Sequence, residues 1–170
     1  MRELNMVEQP KLAEDKWPDI RKIKASRNTG WEYFGNLVKV ILRELGEEKT
    51  CRMLTSFMMD NAKRYVEQGI KNFGIKGNDP WALASYFKLS TGDIIGYKAQ
   101  LLAESPKLVR YQLHPPCIWF PDLDIPPSLC RAMGAFEQTA CQILNPKIKA
   151  HATKLMTAGD PYCEFVFEEV

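Results

Sequence analysis

The last stretch of the chain, Asn145 to Val170, restricts the fold more than any other: NPKIKAHATKLMTAGDPYCEFVFEEV. Ile148, Ala150 and Ala152 alternate with Lys147, Lys149, His151 and Thr153, the period of a half-buried strand. Gly159-Asp160-Pro161 is a turn cluster, in which glycine supplies positive φ, aspartate bonds nearby backbone and proline fixes φ. Cys163, Phe165 and Phe167 then alternate with Glu164, Val166 and Glu168, which sets an apolar face against a mostly charged one. Two half-buried strands joined this closely form a β-hairpin. It needs a layer on its apolar face.

Upstream the period changes to that of helices. Thr29 is placed to cap a helix from Gly30 or Trp31 to Leu45, with the stripe Phe34, Leu37, Val38, Ile41 and Leu45, ended by Gly46. Residues 1–28 form a polar lead-in holding Pro10 and Pro18, with a short helix around Asp19 to Ala25. A second helix, Glu47 to Phe73, carries Leu54, Phe57, Met58, Ala62, Tyr65, Val66, Ile70 and Phe73 as its apolar stripe, and its methionines Met53, Met58 and Met59 read as core. Asp79 and Pro80 open a third helix through Phe87 toward Leu89. Strand-like pieces follow at Ile94 to Ala103 and Lys107 to His114; in the second, Val109, Tyr111 and Leu113 share one face. Pro115-Pro116 stops that strand, and Pro126-Pro127 open a fourth helix, Ser128 to Leu144, whose stripe Leu129, Met133, Phe136 and Ala140 suits packing on a sheet. The expected fold is α+β over residues 29–170 as one domain: N-terminal helices, then an antiparallel sheet with one packed helix and a C-terminal hairpin.

Composition narrows the function. With 45% hydrophobic and 26% charged residues the chain reads as an ordinary globular protein. Basic residues number 23 against 21 acidic ones, and no basic run interleaves with aromatics, which argues against nucleic acid as a partner. No apolar run approaches the roughly 18 residues of a membrane span, and the N-terminus lacks a signal-peptide core, so a cytoplasmic location without a membrane partner is expected. The five cysteines form no CxxC and are expected as thiols.

Chemistry concentrates on the fourth helix. Cys130, Gly134, Glu137 and Cys141 fall within an arc of about 60° beside its apolar stripe. There Glu137 can act as general base and Cys130, in the first turn, as a thiolate favoured by the free N–H groups. Cys117, three residues after His114, is the second candidate nucleophile, with the imidazolium as its partner. The plain alternative is that the cysteines are small core hydrophobes and Glu137 is solvated at the stripe's margin. A zinc set of His114, Cys117, His151 and Cys163 is conceivable, although its spacing matches no compact zinc module.

The order Gly159-Asp160-Pro161-Tyr162-Cys163-Glu164-Phe165 resembles the closing motif of 4-vinyl-reductase domains, small-molecule-binding relatives of a trafficking-complex subunit. With Asn145-Pro146, Thr153-Lys154-Leu155, Pro116-Cys117 and Cys130 added, it resembles the L-2-amino-thiazoline-4-carboxylic acid hydrolase family over about the last sixty residues. That resemblance implies a small hydrolase acting on a compact amino-acid-like heterocycle or amide, in which Cys117 or Cys130 would be the nucleophile or activate a water, and the helix position of Glu137 makes it the general base. The other resemblance implies a non-catalytic small-molecule- or metal-binding protein. A hydrophobic surplus in Trp31, Trp81, Trp119, Phe120 and the methionine-rich helix points to a homodimer.

Overall fold

A computed structural model describes residues 18–170; most of the polar lead-in lies outside them. The fold is α+β: helices packed on a four-stranded antiparallel sheet. Helix α1 spans Asp19–Leu45 and α2 spans Glu47–Asn72. The first helix therefore runs straight through residue 28, where the sequence suggested a boundary. Thr29 caps nothing; its hydroxyl donates back to the Ala25 carbonyl at 3.1 Å within the helix. Gly46, at φ 75°, makes the reversal between the two helices.

The buried stripe of α1 also lies one step from the expected one. Val38 is buried, with Trp31, Phe34, Ile41 and Leu42 half-buried beside it, while Leu37 and Leu45 face out. Gly35 supplies the reason. A Cβ there would stand 2.6 Å from the Trp119 carbonyl oxygen, so the bare glycine lets the loop after β2 lie directly on α1 and turns this side inward. On α2 the ridge Thr50, Leu54, Met58, Ala62 and Val66 is buried at every fourth residue, whereas Met53, Phe57 and Tyr65, also expected inside, are exposed because they lie one position off that ridge.

Helix α3, Pro80–Phe87, starts as the sequence indicates: the Asp79 carboxylate accepts from the Ala82 N–H at 2.8 Å with proline at the first position. It continues into a π-helical turn, Lys88–Ile94, so that β1 begins at Lys98 rather than near Ile94. Gly92 sits where a Cβ would meet the Ala99 side chain at 2.7 Å, which lets the turn rest against β1. Strands β1 (Lys98–Ser105) and β2 (Leu108–His114) pair in antiparallel register; α4 (Pro127–Met133) and α5 (Ala135–Leu144) follow, and β3 (Ile148–Lys154) and β4 (Cys163–Glu169) close the chain. The sheet order is β1-β2-β4-β3, so the terminal hairpin docks onto β2 through β4.

The hairpin matches its sequence reading. Ile148 and Ala150 are buried, Lys149 and His151 are exposed, and Gly159 is left-handed at φ 92°. The Asp160 carboxylate accepts from the Leu155 N–H at 2.8 Å and so fixes the connection. Two expectations change. The single fourth helix is two, broken at Gly134, and the sheet's inner face is covered by α3 as well as α5. The outer face is not simply wet either. Glu164 is 3% exposed there, accepting from Gln112 Nε2 and Thr153 Oγ1 at 2.7 Å each and from Arg110 at 3.1 Å. Burial alone would raise its carboxyl, but these bonds and the Arg110 charge hold it below the usual range. Among the described residues no helix is long and apolar enough to cross a membrane.

Candidate functional site

The helices do not close completely over the sheet. Between α1, α2, α3, the α4–α5 pair and the inner face of β2 and β4 lies a partly open cavity of about 320 Å³. Ten of its lining side chains are aromatic. Trp31 of α1 and Trp119 of the loop after β2 meet at 4.0 Å between ring centroids, Phe34 stands edge-on to Trp119 at 5.3 Å, and Phe57 of α2 stacks on Phe34 at 6.0 Å. The close approach at Gly35 is what brings Trp119 to this wall. Deeper, Phe87 stacks on Phe167 at 5.5 Å and meets Phe136 edge-on at 5.9 Å. The Trp31 Nε1 is buried without an acceptor among the described residues.

Three of the four residues on the predicted arc reach the cavity: Cys130, Gly134 and Glu137. The break at Gly134 is tight, because a Cβ there would lie 3.1 Å from the Arg131 carbonyl oxygen and 3.4 Å from the Phe165 ring. Cys141 turns into the core instead, 1% exposed. Cys117 and Cys163 also line the cavity, so three thiols and one carboxyl share it.

The environments of Cys130 and Cys163 oppose thiolate chemistry. Burial pushes the Cys130 thiol up to about 12, so the helix-terminus effect expected from the sequence is outweighed by desolvation. That helix is also only seven residues long. Burial likewise raises Cys163 to about 11 and Cys141 to about 12. Cys117 is buried, and the Tyr97 hydroxyl donates to its Sγ at 3.3 Å while accepting from the Ile118 N–H at 2.8 Å. Burial, with Cys117 beside it, raises the Tyr97 phenol well above its ordinary value, so it stays a donor.

His114 does not meet Cys117. It follows Leu113, which faces the cavity, and its ring lies against Tyr162 at 5.3 Å on the opposite side of the sheet. His151 is exposed on β3, beside Lys149 in the outward set. The four residues considered for zinc are thus divided, Cys117 and Cys163 on the cavity and the two histidines off it. Among the described residues no three His, Cys, Asp or Glu side chains form a group that could hold a metal.

Glu137 stands apart. Burial raises its carboxyl to about 7, and the one hydrogen bond opposing this comes from its own backbone. Among the described residues it is the only Asp, Glu, Lys, Arg or His in the lining. Tyr97 and Trp119 are site residues that sequence reasoning did not place at a site; Trp119 was counted toward a dimer surface, and nothing local marked Tyr97.

These features define an α+β domain with an apolar, aromatic-walled cavity between helices and sheet. No protein-family model and no curated protein matches the chain. Solved structures do. A trafficking protein particle complex subunit 3 from Naegleria fowleri, covalently bound to palmitic acid, is similar at a TM-score of 0.62 and 12% identity, over 86% of this chain and 96% of that one. The phenol-responsive sensory domain of the transcription activator PoxR, with phenol, is similar at a TM-score of 0.60 and 12% identity, over 82% of this chain and 74% of that one. At that identity the likeness shows a shared fold.

Timed alkylation of the native protein with iodoacetamide, read by peptide mass spectrometry, checks the state of the thiols. Cys117, Cys130, Cys141 and Cys163 are expected to label slowly until denaturant is added. Rapid native labelling of Cys130 would mean that its thiolate is accessible after all.

Proposed function

We propose that this protein binds a compact, mostly apolar small molecule in the cavity without transforming it. The observation that carries this reading is the wall itself: aromatic and aliphatic side chains surround a cavity of ligand size, with thiols that burial keeps protonated. The resemblance to 4-vinyl-reductase domains supports it. So do two proteins of the same fold, one bound to palmitic acid and one to phenol. Titration with 2-phenylethanol, followed by tryptophan fluorescence, tests the reading because Trp31 and Trp119 line the cavity. A saturable change is expected, and its absence at millimolar ligand would end the proposal.

A hydrolase acting on a small heterocycle or amide is the second reading. One observation favours it: Glu137, with a carboxyl raised to about 7, shares the cavity with Cys130 and Cys117. It lacks an activated thiol. The same proposal places the protein in the cytoplasm, where five free cysteines are stable as thiols.

We also propose a homodimer, through the part of the suggested surplus that stays exposed, Trp81 and Met53 among it. Phe120 is buried and Trp31 and Trp119 serve the cavity, whereas Tyr33, Leu37 and Val40 of α1 and Met53 of α2 are exposed. Sedimentation is expected to show a dimer; a 19.5 kDa species at micromolar concentration would reject it.

A further inference from the structure

We propose that the cavity's ligand is an aromatic amine, its ammonium group paired with the Glu137 carboxylate and its ring held among the aromatic walls. This rests on the reading of the cavity as a small-molecule site and names the ligand class.

The geometry leaves Glu137 with an unmet need. Glu137 lines an apolar cavity that holds no other charged side chain among the described residues, and its carboxyl accepts from its own backbone N–H. Glu164, buried on the sheet's outer face, shows what a satisfied carboxylate looks like: bonds from Gln112, Thr153 and Arg110. Glu137 is half-buried at the wall of a partly open cavity, so its carboxylate is partly stripped of water without a counter-charge, and a ligand cation offsets that cost. The surrounding rings favour the same ligand, because aromatic faces attract a cation through their quadrupoles. Tyr86, Phe87 and Phe136 line the cavity with Glu137, packed edge-on against one another. A neutral hydroxyl would satisfy one lone pair and leave the charge uncompensated. A carboxylate ligand would add a second negative charge to the same enclosure.

The titratable groups facing Glu137 from the packed elements are Tyr86 of α3, Tyr111 of β2 and Cys141 on its own helix, with Asp93 beyond Tyr111. Burial raises both phenols and pushes the thiol up to about 12, so all three stay neutral near pH 7. Across that range Glu137 is the member of this group that changes charge. An amine therefore binds more tightly as pH rises through about 7, until the amine itself loses its proton.

The test compares 2-phenylethylamine with 2-phenylethanol, which differ only at the polar group, by calorimetry at pH 6, 7 and 8 on the wild type and on Glu137→Gln. At pH 8 the amine is expected to bind about tenfold or more tightly than the alcohol, and its affinity to fall by about tenfold at pH 6. The alcohol's affinity should change little. Glu137→Gln should erase the preference for the amine over the alcohol, and an unchanged circular dichroism spectrum reports that the variant is folded. Equal affinities at pH 8, or a preference that survives Glu137→Gln, would overturn the amine assignment and leave the cavity a neutral-ligand site. The pH series on the wild type decides the matter even if the variant does not fold. Binding of neither ligand would overturn the small-molecule reading together with this one.

Discussion

Replacing Phe87 with alanine is expected to destabilise the fold by about 3–5 kcal/mol, the usual loss for a large buried aromatic. Phe87 is 1% exposed and sits where the helical layer meets the sheet. It stacks on Phe167 of β4, meets Tyr86 edge-on at 5.1 Å and packs beside Tyr111 of β2 at 6.2 Å. Its backbone carbonyl accepts the Tyr111 hydroxyl at 3.2 Å, which spares a buried phenol from going unpaired. Because Phe87 also lines the cavity, truncation merges the void it leaves with space already present, so collapse around the site is limited. Chemical denaturation with an unchanged m-value checks this. A loss below about 1 kcal/mol would mean that the contact between α3 and the sheet is far looser than its geometry.

The second large effect belongs to Glu137. Its folded-state pKa of about 7 lies above the ordinary 4.5, so between those values the folded protein binds more protons than the unfolded chain. Stability from this group is therefore complete below about pH 4.5, declines as pH rises to about 7 and is flat beyond. Glu164 acts with the opposite sign, its depressed pKa giving stability that is lost as pH falls. Subtracting wild type from Glu137→Gln isolates the first effect. The variant is expected to match the wild type near pH 4 and to exceed it by on the order of 3 kcal/mol at pH 8. Denaturant melts across that range read the difference directly, and a flat difference would show that Glu137 is solvated.

Which parts of this were legible in the sequence follows from the range of the forces involved. The terminal hairpin was readable because the alternation of Ile148 to Ala152 and of Cys163 to Phe167 is local, and Asp160 bonds a residue only five positions away. Helix α3 was readable for the same reason, through Asp79 and Pro80. The stripe on α1 was not. Its direction is set by Gly35 against Trp119, eighty-four positions along the chain, and no periodicity carries that contact. Glu164 misled by the same route: alternation placed it outside, while Gln112 and Thr153 from neighbouring strands bury it there. At the site, the arc of Cys130, Gly134 and Glu137 was right as geometry. The chemistry assigned to Cys130 was not, because a local helix-terminus effect cannot compete with desolvation contributed by distant segments.

Binding without turnover is the central claim, and one calorimetric titration tests it most directly. Protein is titrated with 2-phenylethanol at several temperatures, and the ligand is recovered afterwards for mass analysis. The account predicts saturable binding at one site per chain, a negative heat-capacity change from burial against the aromatic wall, and ligand returned intact. Heat that never saturates would contradict it.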